Sequence, residues 1–247
     1  MTDKERFSEI CRHVRDAEHI RDSIGTYSEK SVHLALKMFF EPDEQYREVP
    51  VGKFIADISN QTGIHEIQTS GFSPLKKKLE AYLSDYDVEL IYPVAEKKKV
   101  YWLSPETGEV EKEYNSPRHV KPAEIFTELL YLGECLYSPR LSFTIVSLAV
   151  DEVCLLDGYG VNKKRRATKV DRIPTELLGI QHFPDARSMA ELLPYSNGEK
   201  ITAAMIRKYL SAPGRSGWAA LKILEELDIC RRIGKEGRKI IYEFNKP

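Results

Sequence analysis

Between residues 28 and 95 the hydrophobic pattern changes period in a set order, and that order constrains the fold more than any other feature of this 247-residue chain. Over residues 28–40, Val32, Ala35, Leu36 and Phe39 recur at helical spacing, and Pro42 with Asp43 ends the run. Three short β-prone stretches follow. Residues 46–51 lead through a tight turn at Gly52 and Lys53 into residues 54–59, and a second turn at 60–63 leads into residues 64–69. Ser73 and Pro74 read as a helix start, with Ser as N-cap and Pro at the first helical position. Leu75, Leu79 and Leu83 form the buried stripe of that helix. Residues 88–94 are a fourth strand, and 99–103 with 109–114 form an added hairpin. Lys97, Lys98 and Lys99 fall at a hairpin turn. Helix, three strands, helix, strand makes an α/β unit whose mixed sheet can be flanked by helices.

Composition excludes several classes. A hydrophobic share of 42% with 30% charged residues is that of a folded globular chain. The first six residues, MTDKER, have no apolar core, so no signal peptide is expected. The longest nearly apolar run, residues 141–150, is far short of the roughly 20 residues that span a bilayer. Cys11, Cys135, Cys154 and Cys230 are widely spaced, with no CxxC pair, and read as reduced thiols of a cytoplasmic protein. Gly158, Tyr159 and Gly160 begin like a dinucleotide loop, but Lys163 stands where the third glycine belongs. No Walker loop or GxSxG elbow is present.

The remaining segments differ in clarity. Residues 1–23 read as a charged helix with Phe7, Ile10, Val14 and Ile20 as its stripe. Residues 122–137 read as helical, 141–156 as strand or helix, 162–172 as a basic loop, and 173–180 and 188–193 as short helices. In the tail, residues 202–210 are a helix, residues 212–214 a turn, and Trp218, Leu221, Leu224 and Leu227 one stripe of a second helix. Residues 229–233 and 239–244 pair across a tip at 234–237. Two helices followed by a hairpin with a basic tip is the winged-helix pattern. The expected divisions are 1–117, a core domain with an N-terminal helix, 118–195, a helical or mixed middle region, and 196–247, a mostly α winged-helix-like domain.

The stretch that carries chemistry is Asp57 followed by Glu66, Ile67 and Gln68. Alternation along a strand aims Glu66 and Gln68 to one side and Ile67 to the other. Asp57 lies on the preceding strand, so pairing brings two carboxylates near one another. A hard divalent cation is held by one or two carboxylates, with water and substrate phosphate around the rest. Such an ion activates water and neutralises charge on a phosphodiester. Glu29 lies one turn before Val32 on the helix face that packs toward the sheet, as a third acid. Each has a plainer reading. Thr26 with Glu29 forms a capping box, and Asp57 could be a strand-end acid facing water, although its apolar neighbours from Phe54 to Ile58 argue for a reason to be there. His65 and His33 read as packing or surface histidines.

This arrangement resembles the PD-(D/E)XK nuclease superfamily, the restriction-endonuclease-like fold. That family's core runs helix, three strands, helix, strand, with an Asp on the second strand, Glu-x-Lys on the third and often a Glu on the first helix. Asp57, Glu66 and Gln68 match the strand positions and Glu29 the helix position, over residues 28–95. The resemblance implies a Mg²⁺- or Mn²⁺-dependent endonuclease acting on DNA. Asp57 and Glu66 would bind the metal, Gln68 would orient water and Glu29 would assist. A homodimer would supply the two active sites that cutting both strands requires. Gln68 departs from the family's lysine. Some superfamily restriction enzymes carry Glu-x-Gln and remain active, but Gln offers only hydrogen bonds. Lys76, Lys77 and Lys78, at the start of the next helix, offer charge near the phosphates or form a solvated face.

Charge is uneven along the chain. Residues 200–247 hold 11 basic and 5 acidic side chains, whereas residues 1–199 hold 26 and 33. A basic end suits an anionic polymer. Lys163, Lys164, Arg165 and Arg166, with Lys169 and Arg172, form either a phosphate-contacting loop or a solvated linker. Arg215, Lys222, Lys235 and Arg238 are the tail's candidate backbone contacts, joined by Arg231, Arg232 and Lys239, while Glu225 and Glu226 sit in the would-be recognition helix. Two further readings stand beside the nuclease: a non-catalytic DNA-binding or scaffold protein with an inactive core, and a protein-binding adaptor.

Overall fold

The computed structural model describes residues 1–21, 30–69, 71–158, 167–212 and 214–246, with backbone only for residues 17–21. In chain order the elements are helices α1 (Asp3–Arg21) and α2 (Ser31–Phe40), strands β1 (Arg47–Val51), β2 (Phe54–Asn60) and β3 (Gly63–Ile67), and helix α3 (Lys76–Tyr82). Strands β4 (Val88–Leu103), β5 (Val110–Asn115), β6 (Leu141–Leu155), β7 (Thr168–Phe183) and β8 (Lys200–Thr202) follow. Helices α4 (Ala203–Tyr209) and α5 (Arg215–Glu226) precede strands β9 (Cys230–Glu236) and β10 (Lys239–Phe244). The result is a mixed α/β chain with a large sheet in the order β1-β2-β3-β4-β6-β7, β5 pairing with β4, and a small sheet in the order β8-β10-β9. The large sheet is mixed: β2 and β3 are antiparallel, whereas β3 and β4 run parallel. No helix among the described residues is long and apolar enough to cross a membrane.

The chain divides into two compact units. One comprises Met1–Arg47, Pro93–Val120 and Val146–Ile180. Here Phe7, Cys11 and Val14 of α1 and Val32, Ala35, Leu36 and Phe39 of α2 are buried, and Phe7 meets Phe39 edge-on with ring centroids 5.4 Å apart. Burying each of the Val, Leu and Phe side chains contributes about 1.5–3 kcal/mol. The N-terminus of α2 has no cap from its own N-cap residue, Lys30. Instead Asp171 of β7 accepts from the Ser31 N–H (3.2 Å) and hydroxyl (2.5 Å), a negative group where the helix end is positive.

The other unit comprises Glu48–Tyr92, Lys121–Ile145 and Gln181–Pro247. It holds β1 to β3, α3 and the C-terminal elements. Thr202 caps α4 by accepting from the Met205 N–H, and α5 buries Gly217, Ala220, Leu221, Ile223 and Leu224. Glycine is required at 217, since a Cβ there would lie 2.7 Å from the Ala212 carbonyl oxygen and closer still to the Arg207 side chain. In the small antiparallel sheet, Ile241 pairs with Thr202 and Lys239 with Glu236.

Several expectations are corrected. Residues 173–180 are not a helix but part of β7. β7 ends the strand order, and an edge strand accommodates Pro174. Residues 122–137 form two 3-10 stretches, Pro122–Thr127 and Leu129–Tyr137, the second broken at Gly133 with φ 57°. The three lysines 97–99 lie within the continuous strand β4, not in a turn. Lys98 bonds Glu152 at 2.9 Å and Lys99 bonds Glu113 at 2.9 Å, so the strand's charges are matched by its neighbours. Ser73 does not cap a helix: Phe72 holds that position, and Ser73–Leu75 is a 3-10 turn leading into α3. Tyr82 rather than Leu83 completes the buried stripe. Trp218 is 52% exposed, outside the α5 core stripe. β9 extends to Glu236, which moves the hairpin bend to Gly237 and Arg238.

Candidate functional site

The antiparallel register of β2 and β3 sets Ile58 opposite His65, and one step further along each strand come Asp57 and Glu66. The Asp57 N–H donates to Glu66 Oε1 at 3.4 Å, and the Ile67 N–H donates to Asp57 Oδ2 at 2.8 Å. Each carboxylate is thus oriented by backbone from the strand carrying the other. Glu66 is 2% exposed and sits beside Leu90 in the parallel register with β4.

Helix α3 supplies the rest of the cluster. Lys78 donates to Glu66 Oε2 at 2.6 Å. Tyr82, one turn later and so on the same helix face, is 1% exposed and stacks edge-on against Phe54 of β2, centroids 6.1 Å apart. Its hydroxyl is buried and has no hydrogen-bond partner among the described residues. Burial, with Asp57 beside it, pushes the Glu66 carboxyl up to about 7 against the opposing pull of Lys78. The Tyr82 phenol is also raised, chiefly by burial and then by the charges of Glu66 and Asp57. Two carboxylates thus lie side by side, with the Lys78 ammonium on one of them.

Gln68 lies just past the end of β3. Its backbone N–H donates to Ile91 O at 2.9 Å, and its side-chain Nε2 donates to Gly71 O at 2.8 Å. Glu29 lies outside the described residues, as do Thr26, Lys163, Lys164, Arg165 and Arg166. Lys76 and Lys77 are exposed, with Lys76 3.8 Å from Glu80; of the three lysines, Lys78 alone reaches Glu66. Arg215 and Lys222 are exposed on α5, the latter 3.4 Å from Glu226, and Lys235 and Arg238 are exposed on or beside the hairpin. Trp218 shares their solvent-facing side of α5, and the Arg207 guanidinium lies 5.4 Å from its ring centroid. Among the described residues no three His, Cys, Asp or Glu side chains gather as a metal-ligand group.

Two other charge clusters mark the contrast. His65 bonds Glu89 at 2.6 Å, and Glu89 also accepts from Thr144 and His182. Burial pushes that carboxyl up, but the His65 and Thr144 hydrogen bonds outweigh it and hold it below its usual range. In the first unit, Glu152 accepts from Lys98 at 2.9 Å and Arg172 at 3.0 Å, with Lys169 at 3.2 Å. Lys169 and Arg172 therefore stand on β7, not in a loop. Although burial raises the Glu152 carboxyl, these cations bring it down to about 2.

Sequence reasoning missed Tyr82 and placed Lys78 only among three equivalent lysines. The helical spacing of 78 and 82 was the available signal, masked by the wrong choice of stripe.

Comparison with known proteins adds kinship. Residues 30–183 match the family described as a domain of unknown function (DUF8091), a span that includes Asp57, Glu66, Lys78 and Tyr82. A relative from Treponema pallidum (strain Nichols), described as an uncharacterized protein, is 30% identical over 226 residues, covering 91% of this chain and 89% of its own length. No solved structure matches the chain significantly.

Proposed function

The chain belongs to the DUF8091 family, and we propose that it is a metal-dependent DNA endonuclease whose core is of the restriction-endonuclease-like kind. The observation that carries this reading is the pair Asp57 and Glu66, held together by reciprocal backbone bonds, with Glu66 buried and bonded to Lys78. The donor chemistry fits a hard cation, which needs only one or two carboxylates from the protein. When bound, Mg²⁺ or Mn²⁺ would supply activation of water and neutralisation of phosphodiester charge.

The side chains divide the remaining roles. Asp57 and Glu66 would hold the ion, each prevented from swinging by the N–H that binds it. Lys78 supplies the positive charge that Gln68 lacks, from α3 instead of from β3. Gln68 keeps its amide on the Gly71 carbonyl, so its contribution is to shape the chain beside the site unless that bond opens to water. The C-terminal helices and three-stranded sheet are read as a winged helix. Arg215, Lys222, Lys235 and Arg238 would lie along the DNA backbone and give an affinity that falls steeply with salt. The test is cleavage of plasmid DNA under Mg²⁺ by the parent, Asp57→Ala and Glu66→Ala. Cleavage by the parent alone is expected, and equal cleavage by all three overturns the assignment.

The engagement of the Gln68 amide with Gly71 favours a second reading, a DNA-binding or scaffold protein with an inactive core. Calorimetry with Mn²⁺ separates the two: a core that takes up no ion while the chain still shifts DNA supports the second.

A further inference from the structure

A buried hydroxyl is almost always bonded, because leaving a donor dry and unmatched forfeits its hydration with no return. Tyr82 breaks this rule: its hydroxyl is enclosed and unmatched among the described residues. The ring itself is fully accounted for, packed against Phe54 and 1% exposed, so the phenol oxygen is the part without a reason. Its setting supplies one. The same helix face carries Lys78, whose ammonium lies 5.9 Å from the Tyr82 ring centroid and 2.6 Å from Glu66, so ring and acid flank one cation. A phenol is a good donor and a poor cation ligand while protonated, so it complements a water molecule, not the ion.

Resting on the metal-site reading above, we infer that the Tyr82 hydroxyl donates a hydrogen bond to a hydration water of the cation held by Asp57 and Glu66, making Tyr82 a positioning residue of that site. Outer partners of this kind orient what an ion carries, and their loss commonly lowers affinity or activity by about 10–100-fold. Without metal the hydroxyl has no partner among the described residues, so its burial costs stability with no return. The sign of its effect on stability therefore depends on whether the ion is present.

The experiment compares the full-length parent with Tyr82→Phe, which keeps the ring and removes one oxygen. Thermal melts are recorded without metal and with Mn²⁺, Mn²⁺ affinity is measured by calorimetry, and plasmid cleavage is followed with Mn²⁺. The metal-free variant is expected to melt no lower than the parent, while its Mn²⁺ affinity falls about tenfold and kcat falls with KM unchanged. A merely structural hydroxyl would instead lower the metal-free melting temperature and leave Mn²⁺ affinity alone, and that result overturns the inference. Equal Mn²⁺ affinity in the two proteins overturns it while leaving the metal site standing. A parent that takes up no Mn²⁺ overturns both.

Discussion

Buried Glu66 and half-buried Glu152 are both bonded to lysine, yet their carboxyls move in opposite directions, to about 7 and about 2. Burial acts the same way on both, since losing water disfavours the charged form. The difference lies in the company. Glu152 has three cations, Lys98, Lys169 and Arg172, around one carboxylate. Glu66 has Lys78 on one carboxylate oxygen and the Asp57 N–H on the other, with the Asp57 acid beside it. A carboxylate ringed by cations belongs to the architecture, whereas one raised by burial and a neighbouring acid is suited to receive a cation. Glu89, satisfied by His65, Thr144 and His182, belongs with Glu152.

The largest expected contrast between the two clusters is in activity. Glu66→Gln is expected to lose at least about 100-fold in Mg²⁺-dependent cleavage, while Glu152→Gln, measured per folded molecule, stays close to the parent. Comparable losses in both would dissolve the distinction between them.

Stability should separate them with opposite sign. Removing the charge of Glu152 strands three cations, so Glu152→Gln is expected to lose roughly 2–3 kcal/mol in urea unfolding at pH 7. Glu66→Gln removes a carboxylate that burial disfavours, and at pH 8 without metal it should be at least as stable as the parent.

Their pH dependence follows from linkage. Glu66 titrates near 7 in the fold against an ordinary 4.5. Between those values the unfolded chain has released its proton and the native one has not, so stability declines as pH rises from about 4.5 to 7. Glu152 titrates near 2 against the same ordinary 4.5, so its contribution is present above about 4.5 and disappears as pH falls toward 2. Denaturation curves of the parent minus each Gln variant, taken across pH 2–8, read the two profiles separately.

The smallest effects are expected at the C-terminal end. Arg215→Ala or Arg238→Ala should weaken DNA binding only modestly, lowering the slope of log affinity against log salt by about 1 for each phosphate no longer neutralised. Trp218 is exposed on the same side of α5 as Arg215, so its fluorescence should respond to DNA in a chain where Trp102 is replaced by Phe. An unchanged slope would remove these residues from the interface.

Much of the stretch from α2 to α3 was legible in one dimension. Periodicity alone located α2, the three strands β1 to β3, and the α3 region, because amphipathic period follows directly from backbone geometry. It also placed Asp57 and Glu66 on neighbouring strands. The misreadings lie where neighbours override local preference. Residues 173–180 look helical in isolation but complete a sheet edge. The 97–99 lysines look like a turn until Glu152 and Glu113 are set beside them. The choice of Leu83 over Tyr82 hid the phenol, because consecutive residues near a helix end differ little in pattern.

Sequence by itself therefore determined which elements form along residues 28–95 and that two acids would sit on adjacent strands, since both follow from local period and short turns. Tertiary structure alone decided what surrounds those acids: which lysine of three reaches Glu66, that Gln68 turns to Gly71, and that a tyrosine hydroxyl is shut in beside them. Side-chain reach and burial depend on contacts between segments distant in the chain, and no local pattern encodes how much water a carboxylate keeps or how many cations it meets.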